Sequence, residues 1–345
     1  MYNSEIVNIS TLSIHRVGNK YDDEQFELSN RPFELTKNIK LSLKAYFFNS
    51  FKTDELYSFV HEIELPMNEL YVMSMRIFDN PALLHPESQN IAKLLYEKSD
   101  HPNIKGGELY VVLFNDCELN GETTEAIGIF KSENKDTFLK VYQTGSDFGV
   151  ESDLGVNVNK LDKGCLIFNS ERDSGYIVAV VDNTNKGDDA KYWIDDFLHV
   201  RPRKDEYYNT HNVLSLCKNF VVKELPQQFD VLKADQADLL NRSVEFFKEK
   251  DSFNMEEFTN RVFEQPEVID SFNRYKENYE QERDLDIADN FTISESAVKK
   301  QARAFKSVIR LDKNFHIYVH GNRNLIEQGE DEKGKFYKVY YQEEN

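Results

Sequence analysis

The chain of 345 residues carries 61 acidic and 42 basic side chains, a formal charge of −19 and a sequence pI near 4.9. Its 40% hydrophobic and 13% aromatic content can build real cores, which excludes the disordered, collagen-like and proline-rich classes. The acidity argues against a nucleic-acid-binding surface over the whole molecule. A local basic face stays compatible with it, because exposed charges more than about 10 Å apart are largely screened.

Cysteine usage and the N-terminus indicate the compartment. Cys117, Cys165 and Cys217 are far apart, which fits a reducing cytoplasm and neither a disulfide framework nor a structural zinc site. The N-terminus lacks the basic and apolar regions of a signal peptide. No apolar run approaches the roughly 20 residues of a membrane span. We therefore expect a soluble cytoplasmic protein.

The first 200 residues predict an α+β domain with a mixed or antiparallel sheet. Apolar spacing predicts helices over 36–49, 68–79 and 86–99. Alternation and short apolar runs predict strands over 4–17, 56–60, 108–115, 126–131, 137–143, 165–169 and 175–181. The short connections favour antiparallel pairing, and the run at 111–114, apolar on both faces, predicts a central strand covered by helices.

The spacing of apolar residues changes to the helical period of 3.6 after a hinge predicted over 191–205. This segment holds the only tryptophan, Trp193, and ends in the basic run Arg201, Arg203 and Lys204. After it, helical periodicity predicts helices over 208–225, 233–250, 254–264 and 266–283. Residues 227–290 contain 17 acidic and 8 basic side chains. The sequence therefore predicts three regions, an α+β domain over 1–200, an acidic helical region over 201–290 and a C-terminal region over 291–345.

The C-terminal region is predicted to be one helix followed by a small antiparallel β-meander. Thr292 and Glu295 fit a capping box at the start of the helix. Val298, Ala302 and Phe305 recur at i, i+4 and i+7 and predict an apolar stripe. Turn residues then separate short strands. In the strand predicted over 315–320, the odd positions should share one face and the even positions the other.

This region is also a basic island, because residues 296–325 carry seven Lys/Arg and a single acid. Its helical cations lie about 100° round the helix from the apolar stripe. Phosphate pairing and ring stacking are the usual means of sequence-tolerant nucleic-acid binding. The candidate DNA-binding residues are therefore Lys299, Lys300, Arg303, Lys306, Arg310, Lys313, His316, Tyr318, His320 and Arg323, with Arg201, Arg203 and Lys204 added if the fold brings them near. The same pattern is typical of a solvated amphipathic helix, or of one that docks on the acidic 227–290 block.

Patterns for metal or covalent chemistry are weaker. His316 and His320 would lie about 13 Å apart along a strand, too far to share a metal ion. Asp116 with Glu133 and Lys135 resembles the carboxylates and Glu-x-Lys of some metal-dependent nucleases, but the signal is weak, because solvated charge is expected in the polar turn that holds Glu133 and Lys135. No phosphate-binding glycine loop, GxSxG elbow or HExxH motif occurs in the sequence. We assign no catalytic residue, no cofactor and no metal site.

Several segments together resemble the bacterial nucleoid-associated protein family of the YejK/NdpA type. They are IxxLSIHRVGNK near the start, GGELYVVLF, AIGIFKSE, DDFLHVRPRKDEYYNT, KADQADLLNRSVEFF and the closing run from AVKKQARAFKSV to KFYKVYY. The resemblance covers nearly the whole chain in the same order and carries no catalytic or ligand motif. It implies a cytoplasmic protein that co-localises with the bacterial chromosome, with DNA binding presumed.

Three functions follow from these features. The first is a non-enzymatic nucleoid-associated protein that binds double-stranded DNA with low sequence preference. The second is an acidic interaction protein that binds a basic nucleoid or DNA-processing protein without touching DNA. The third is a metal-dependent nuclease. A homodimer is expected because symmetric dimers are the commonest assembly, although no surface for it is apparent in the sequence.

Overall fold

The structure is a computed structural model that describes residues 7–51, 54–184, 192–302, 305, 308–311, 314–319 and 325–343. The chain divides into two compact units, Met1–Arg203 and Lys204–Asn345. Among the helices within these ranges, none is long and apolar enough to cross a membrane. The predicted α+β class is confirmed. A separate third region beginning at residue 291 stays a prediction.

The first unit is built on a seven-stranded sheet in which every strand pair is antiparallel. Its strand order is β1-β3-β4-β7-β8-β2-β9. The strands are β1 (Asn8–Val17), β2 (Leu56–Phe59), β3 (Gly107–Leu119), β4 (Glu122–Ser132), β7 (Lys163–Phe168), β8 (Ile177–Asp182) and β9 (Val200–Pro202). The predicted antiparallel pairing is therefore confirmed.

Helices cover both faces of this sheet. Helices α2 (Glu69–Asp79) and α3 (Leu84–Lys98) contribute to one core, and α1 (Lys37–Phe48) contributes to the other. The apolar run in β3 alternates between them, because Val111 and Leu113 belong to the first core while Val112 and Phe114 belong to the second. A strand buried on both faces needs no polar alternation. The prediction that this strand is covered on both sides is confirmed.

The segment predicted as a hinge is packed into the first unit. Residues Tyr192–Leu198 form a π-helical turn, and β9 follows it at the edge of the sheet. Trp193 is fully buried in the core that lies under α2 and α3. The Asn68 amide donates to the backbone carbonyls of Leu198 and His199, which ties the segment to the start of α2. The boundary between the two units, after Arg203, falls inside the predicted segment, and Trp193 anchors the part before the boundary in the first unit.

A separate two-stranded ribbon also belongs to the first unit. Strands β5 (Asp136–Thr144) and β6 (Asp147–Gly155) pair antiparallel with each other along nine register positions. The sequence predicted β5 but not β6. Its stretch DFGVESDLG has three acids and two glycines, residue types that are depleted in strands.

The second unit is helical at its centre. Its helices are α4 (Glu206–Asn219), α5 (Leu225–Gln228), α6 (Lys233–Glu249), α7 (Met255–Val262), α8 (Pro266–Arg283) and α9 (Glu295–Ala302). A π-helical turn, Phe220–Glu224, joins α4 to α5 and explains why the sequence predicted one continuous helix there. Aromatic rings fill the core; Phe258, for example, packs edge-on against Phe246. The four predicted helical windows are confirmed.

Short antiparallel strand pairs complete the second unit. Strand β10 (Ser252–Asn254) pairs with β11 (Asn290–Thr292). After α9, β12 (Val308–Leu311) pairs with β13 (Phe315–Tyr318), and β14 (Ile326–Asp331) pairs with β15 (Gly334–Val339). The predicted C-terminal antiparallel strands are thus present, arranged in the described residues as two hairpins.

Candidate nucleic-acid interface

Helix α9 begins two residues later than the capping box predicted. Thr292 lies in β11, where it pairs with Ser252, so it is extended and cannot cap the helix. The cap is Ser294, whose Oγ accepts from the backbone N–H of Ala297 at 3.4 Å. The Ser294 N–H donates in turn to Thr210 Oγ1 of α4 at 3.0 Å. The predicted cap was wrong because pairing with β10 extends the strand through Thr292.

The predicted apolar stripe begins in α9 and ends three residues beyond it at Phe305, and it is buried as its periodicity predicted. Val298 and Phe305 are each 5% exposed, and Ala302 packs beside them. All three belong to the core formed with α4 and α6. One side of α9 is therefore held against the helical core, and the side that carries Lys299 and Lys300 is exposed.

Lys299 is exposed but already has one acidic neighbour. Its side chain is 76% exposed, and Nζ lies 2.9 Å from Glu295 Oε2, one helical turn earlier. The hydrogen bond and charge of Lys299 lower the pKa of the Glu295 carboxyl. An exposed pair at i, i+4 holds its partners weakly, so a phosphate can displace the carboxylate.

Lys300 lies beside an aromatic pair on α4 that the sequence did not single out. Its Nζ is 5.5 Å from the ring centroid of Tyr207, within cation–π range. The Tyr207 and His211 rings are nearly parallel, with centroids 6.2 Å apart. His211 Nδ1 is 2.7 Å from Gln301 Nε2. The only sequence signal for this pair is its i, i+4 spacing, which is common on helices.

The β12–β13 hairpin presents the candidate histidine and tyrosine to solvent. Ile309 and Ile317 are register partners that pack in a small cluster with alanines of α6. His316 is exposed and is the register partner of Arg310, and Tyr318 is 59% exposed. Phe315, which was predicted to share one face of the strand with Ile317, is 66% exposed.

Several candidates fall outside the residues that the structure describes. They are Arg303, Lys306, Lys313, His320 and Arg323, together with the side chain of Arg310. Their role in DNA contact stays a prediction.

The basic run at 201–204 is matched by acids. Arg201 Nη1 lies 2.5 Å from Asp195 Oδ1. Arg203 donates to Glu171 Oε2 at 2.7 Å. The first two cations belong to the first unit and Lys204 to the second. Lys204 Nζ lies 3.0 Å from an Asp286 carboxylate oxygen. Each cation of this run therefore already has a carboxylate neighbour.

The nuclease-like carboxylates do not form one site. Asp116 is exposed in an irregular part of β3, where the pairing with β4 shifts register. Glu133 accepts from the Tyr192 hydroxyl at 2.9 Å and pairs with buried Lys131 at 3.2 Å. Lys135, two residues later, pairs instead with the carboxylate of a strand β3 residue at 2.6 Å. Within the described part of the chain, no group of three His, Cys, Asp or Glu could hold a metal ion.

Cys217 is a buried thiol with a structural contact. Its Sγ lies 3.0 Å from Ser243 Oγ, between α4 and α6. Burial is the main cause that raises the pKa of this thiol to about 12. A thiol in this environment stays protonated and is a poor nucleophile.

Comparison with known proteins gives one family. A family model described as nucleoid-associated protein YejK matches residues 13–335, nearly the whole chain. A search of curated proteins finds no match.

Proposed function

Because the chain belongs to the family of nucleoid-associated proteins of the YejK type, we propose that it binds double-stranded DNA directly, with low sequence preference and without catalysing a reaction. The site of action is the nucleoid in the bacterial cytoplasm. The contact is the exposed side of α9 together with the outer face of the β12–β13 hairpin.

The observation that carries this proposal is the packing of α9 against the helical core. Its apolar stripe is buried in the helical core, so the helix cannot turn its basic side inward. Lys299 and Lys300 are therefore held at the surface on a rigid element. The sequence adds five further cations before residue 326 against one acid. Such a cluster suits phosphate contacts, which carry no sequence information.

The net charge of −19 is compatible with this local contact. Screening confines the effect of distant exposed carboxylates at physiological salt, where the Debye length is about 8 Å. Acidic surfaces elsewhere then lower affinity mainly at low ionic strength. We expect moderate affinity with a clear dependence on salt.

The test is DNA affinity measured against salt concentration. Each phosphate contact that is lost reduces the slope of log K against log salt by about 0.9. The variant Lys299→Gln/Lys300→Gln should therefore reduce the slope by about 1.8. The matched control is Lys93→Gln/Lys98→Gln, which removes two exposed lysines from α3 of the first unit and should leave the slope unchanged.

Sequence preference is tested with the same assay. Several unrelated duplexes of equal length should bind within a few-fold of one another, because phosphates are common to all of them. The absence of DNA binding by the wild-type protein, or an unchanged slope in the α9 variant, would refute this assignment.

The acidic surface favours a second candidate function. Within the second unit, residues 227–290 carry 17 acids against 8 bases. A basic nucleoid or DNA-processing protein could bind this surface without DNA. This alternative predicts two results. The protein should retain such a partner after nuclease treatment, and the isolated chain should not bind DNA.

A further inference from the structure

The β5–β6 ribbon has an unusual division of residue types between its two faces. The register pairs Leu139 with Ser152, Val141 with Val150 and Gln143 with Phe148. Cross-strand partners and alternate residues share a face in antiparallel pairs. We define the apolar face of the ribbon as Leu139, Val141, Phe148, Val150 and Leu154, with Thr137, Gln143 and Ser152 between them.

This apolar face is open to solvent and free of charge. Its five large side chains are between 61% and 75% exposed, and none of its eight positions is Asp, Glu, Lys or Arg. Yet the chain as a whole is 30% charged. A charge-free stripe of this length on an exposed ribbon is typical of an interaction surface.

The opposite face of the ribbon needs no partner. Phe138 lies against the α-carbon of Gly155, and Tyr142 lies against that of Gly149, so both rings are covered on one side by their own ribbon. The remaining positions on this face include a cross-strand Lys140–Glu151 register pair and acids at 136, 147 and 153. Water therefore solvates this face well.

A two-stranded ribbon is marginally stable in water by itself. Packing its apolar side on another surface would stabilise the ribbon by removing that side from water. We propose that the apolar face packs on the apolar face of a second copy of this chain, forming a two-fold symmetric dimer. Two such ribbons stacked about 10 Å apart would form a small sandwich.

Self-complementarity favours a second copy over another partner. The Val141–Val150 pair lies at the centre of the face, with Phe148 towards the turn and Leu139 and Leu154 towards the base. A two-fold axis that runs across the strands at the central pair, parallel to the face, places Phe148 of one copy against the leucines of the other. A bulky ring then meets smaller branched side chains at both ends. Nucleic acid does not fit this face, because it presents no cation to phosphate.

The area is sufficient for a specific dimer. Five large side chains that are about two-thirds exposed present on the order of 500 Å² per copy, so a dimer buries on the order of 1,000 Å². That is near the lower bound for specific interfaces, a size typical of weak assemblies that dissociate on dilution. The assembly should therefore respond to protein concentration.

The first experiment is sedimentation of the full chain from about 1 to 100 µM. The wild type should shift from monomer to dimer across this range. Val141→Lys places a charge at the centre of the interface, beside the same charge in the second copy, and should raise the dissociation constant at least about 30-fold. The matched control is Glu151→Gln on the opposite face, which changes the net charge by the same amount and should leave the dimer intact.

The second experiment does not depend on affinity. All three native cysteines are buried, so a new surface cysteine can be addressed selectively. Val141→Cys lies next to the proposed axis and should form an intermolecular disulfide under mild oxidation, whereas Lys140→Cys should not. A wild-type protein that stays monomeric throughout the range would refute the dimer. So would equal cross-linking of the two cysteine variants, or dimerisation that persists unchanged in Val141→Lys.

Discussion

Protonation of His15 should destabilise the first unit in mildly acidic solution. His15 is 3% exposed and lies between β1 and α3. The Ser88 hydroxyl donates to the His85 carbonyl at 2.7 Å, so it accepts from His15 Nε2 at 2.8 Å. His15 Nδ1 accepts from the Ser29 N–H at 3.1 Å. Both ring nitrogens of the neutral imidazole are therefore satisfied, and a second ring proton would face a donor.

Burial, and next the charge of His85, lower the pKa of His15 from 6.5 to about 4. The neutral ring is thus favoured in the folded state. The preference for the neutral ring contributes fully to the free energy of unfolding above pH 6.5, and this contribution is lost as the pH falls from 6.5 towards 4. At pH 5 the loss relative to pH 7.5 is about 2 kcal/mol, and the limit below pH 4 is about 3 kcal/mol.

The assay is urea unfolding followed by tryptophan fluorescence at pH 7.5 and pH 5. The chain has a single tryptophan, Trp193, which is fully buried in the first unit, so the signal reports that unit. The control is His15→Gln, whose amide can keep one donor and one acceptor but cannot titrate. Carboxylates titrate equally in both proteins, so the difference between them isolates His15.

The wild type should lose about 2 kcal/mol more than His15→Gln between the two pH values. If both proteins lose the same free energy of unfolding, the pKa of His15 is not lowered and the described hydrogen bonds do not hold the neutral ring.

Three further outcomes are expected. Gly175→Ala should destabilise the first unit several times more than Gly121→Ala, which should cost about 1 kcal/mol in the same urea assay. Both glycines have positive φ, but a Cβ at Gly175 would lie 2.3 Å from the Phe59 carbonyl oxygen, whereas one at Gly121 meets open space. Equal losses would contradict this packing. Phe47→Ala should cost about 3 to 5 kcal/mol because the ring is fully buried, while Leu41→Ala on the exposed side of α1 should cost much less. Finally, the protein incubated with duplex DNA and Mg²⁺ should leave the DNA intact on a gel; cleavage would revive the nuclease hypothesis.

Local patterns predicted the helical unit well. Helices α6, α7 and α8 start and end within about two residues of their predicted windows, because apolar spacing and capping act over a single turn. The apolar stripe of α9 was predicted for the same reason. Its cap was not, because β10 competes for Thr292 from 40 residues earlier in the chain.

The candidate site was only partly predictable. The exposed position of Lys299 and of His316 follows from helical and strand periodicity. The acidic and aromatic neighbours of the cations do not follow from periodicity. Arg203 meets an acid 32 residues away, and Lys204 meets one 82 residues away. The aromatic pair beside Lys300 lies on another helix. Contacts at such separations leave no periodic signal in the chain.

The sequence by itself determined the class of the protein, its antiparallel β-rich first half, its acidic helical second half and its basic C-terminal segment. These depend on residue type and on periods of two and 3.6, which are local. Tertiary structure decided which charges are matched, that Trp193 anchors the segment before the unit boundary, and that the ribbon keeps its acids on one face. The stretch 147–155 reads as a polar loop until β5 pairs with it. Register then places every charged residue of the ribbon on one side and leaves an apolar face on the other, because strand pairing, and not composition, assigns each residue to a face.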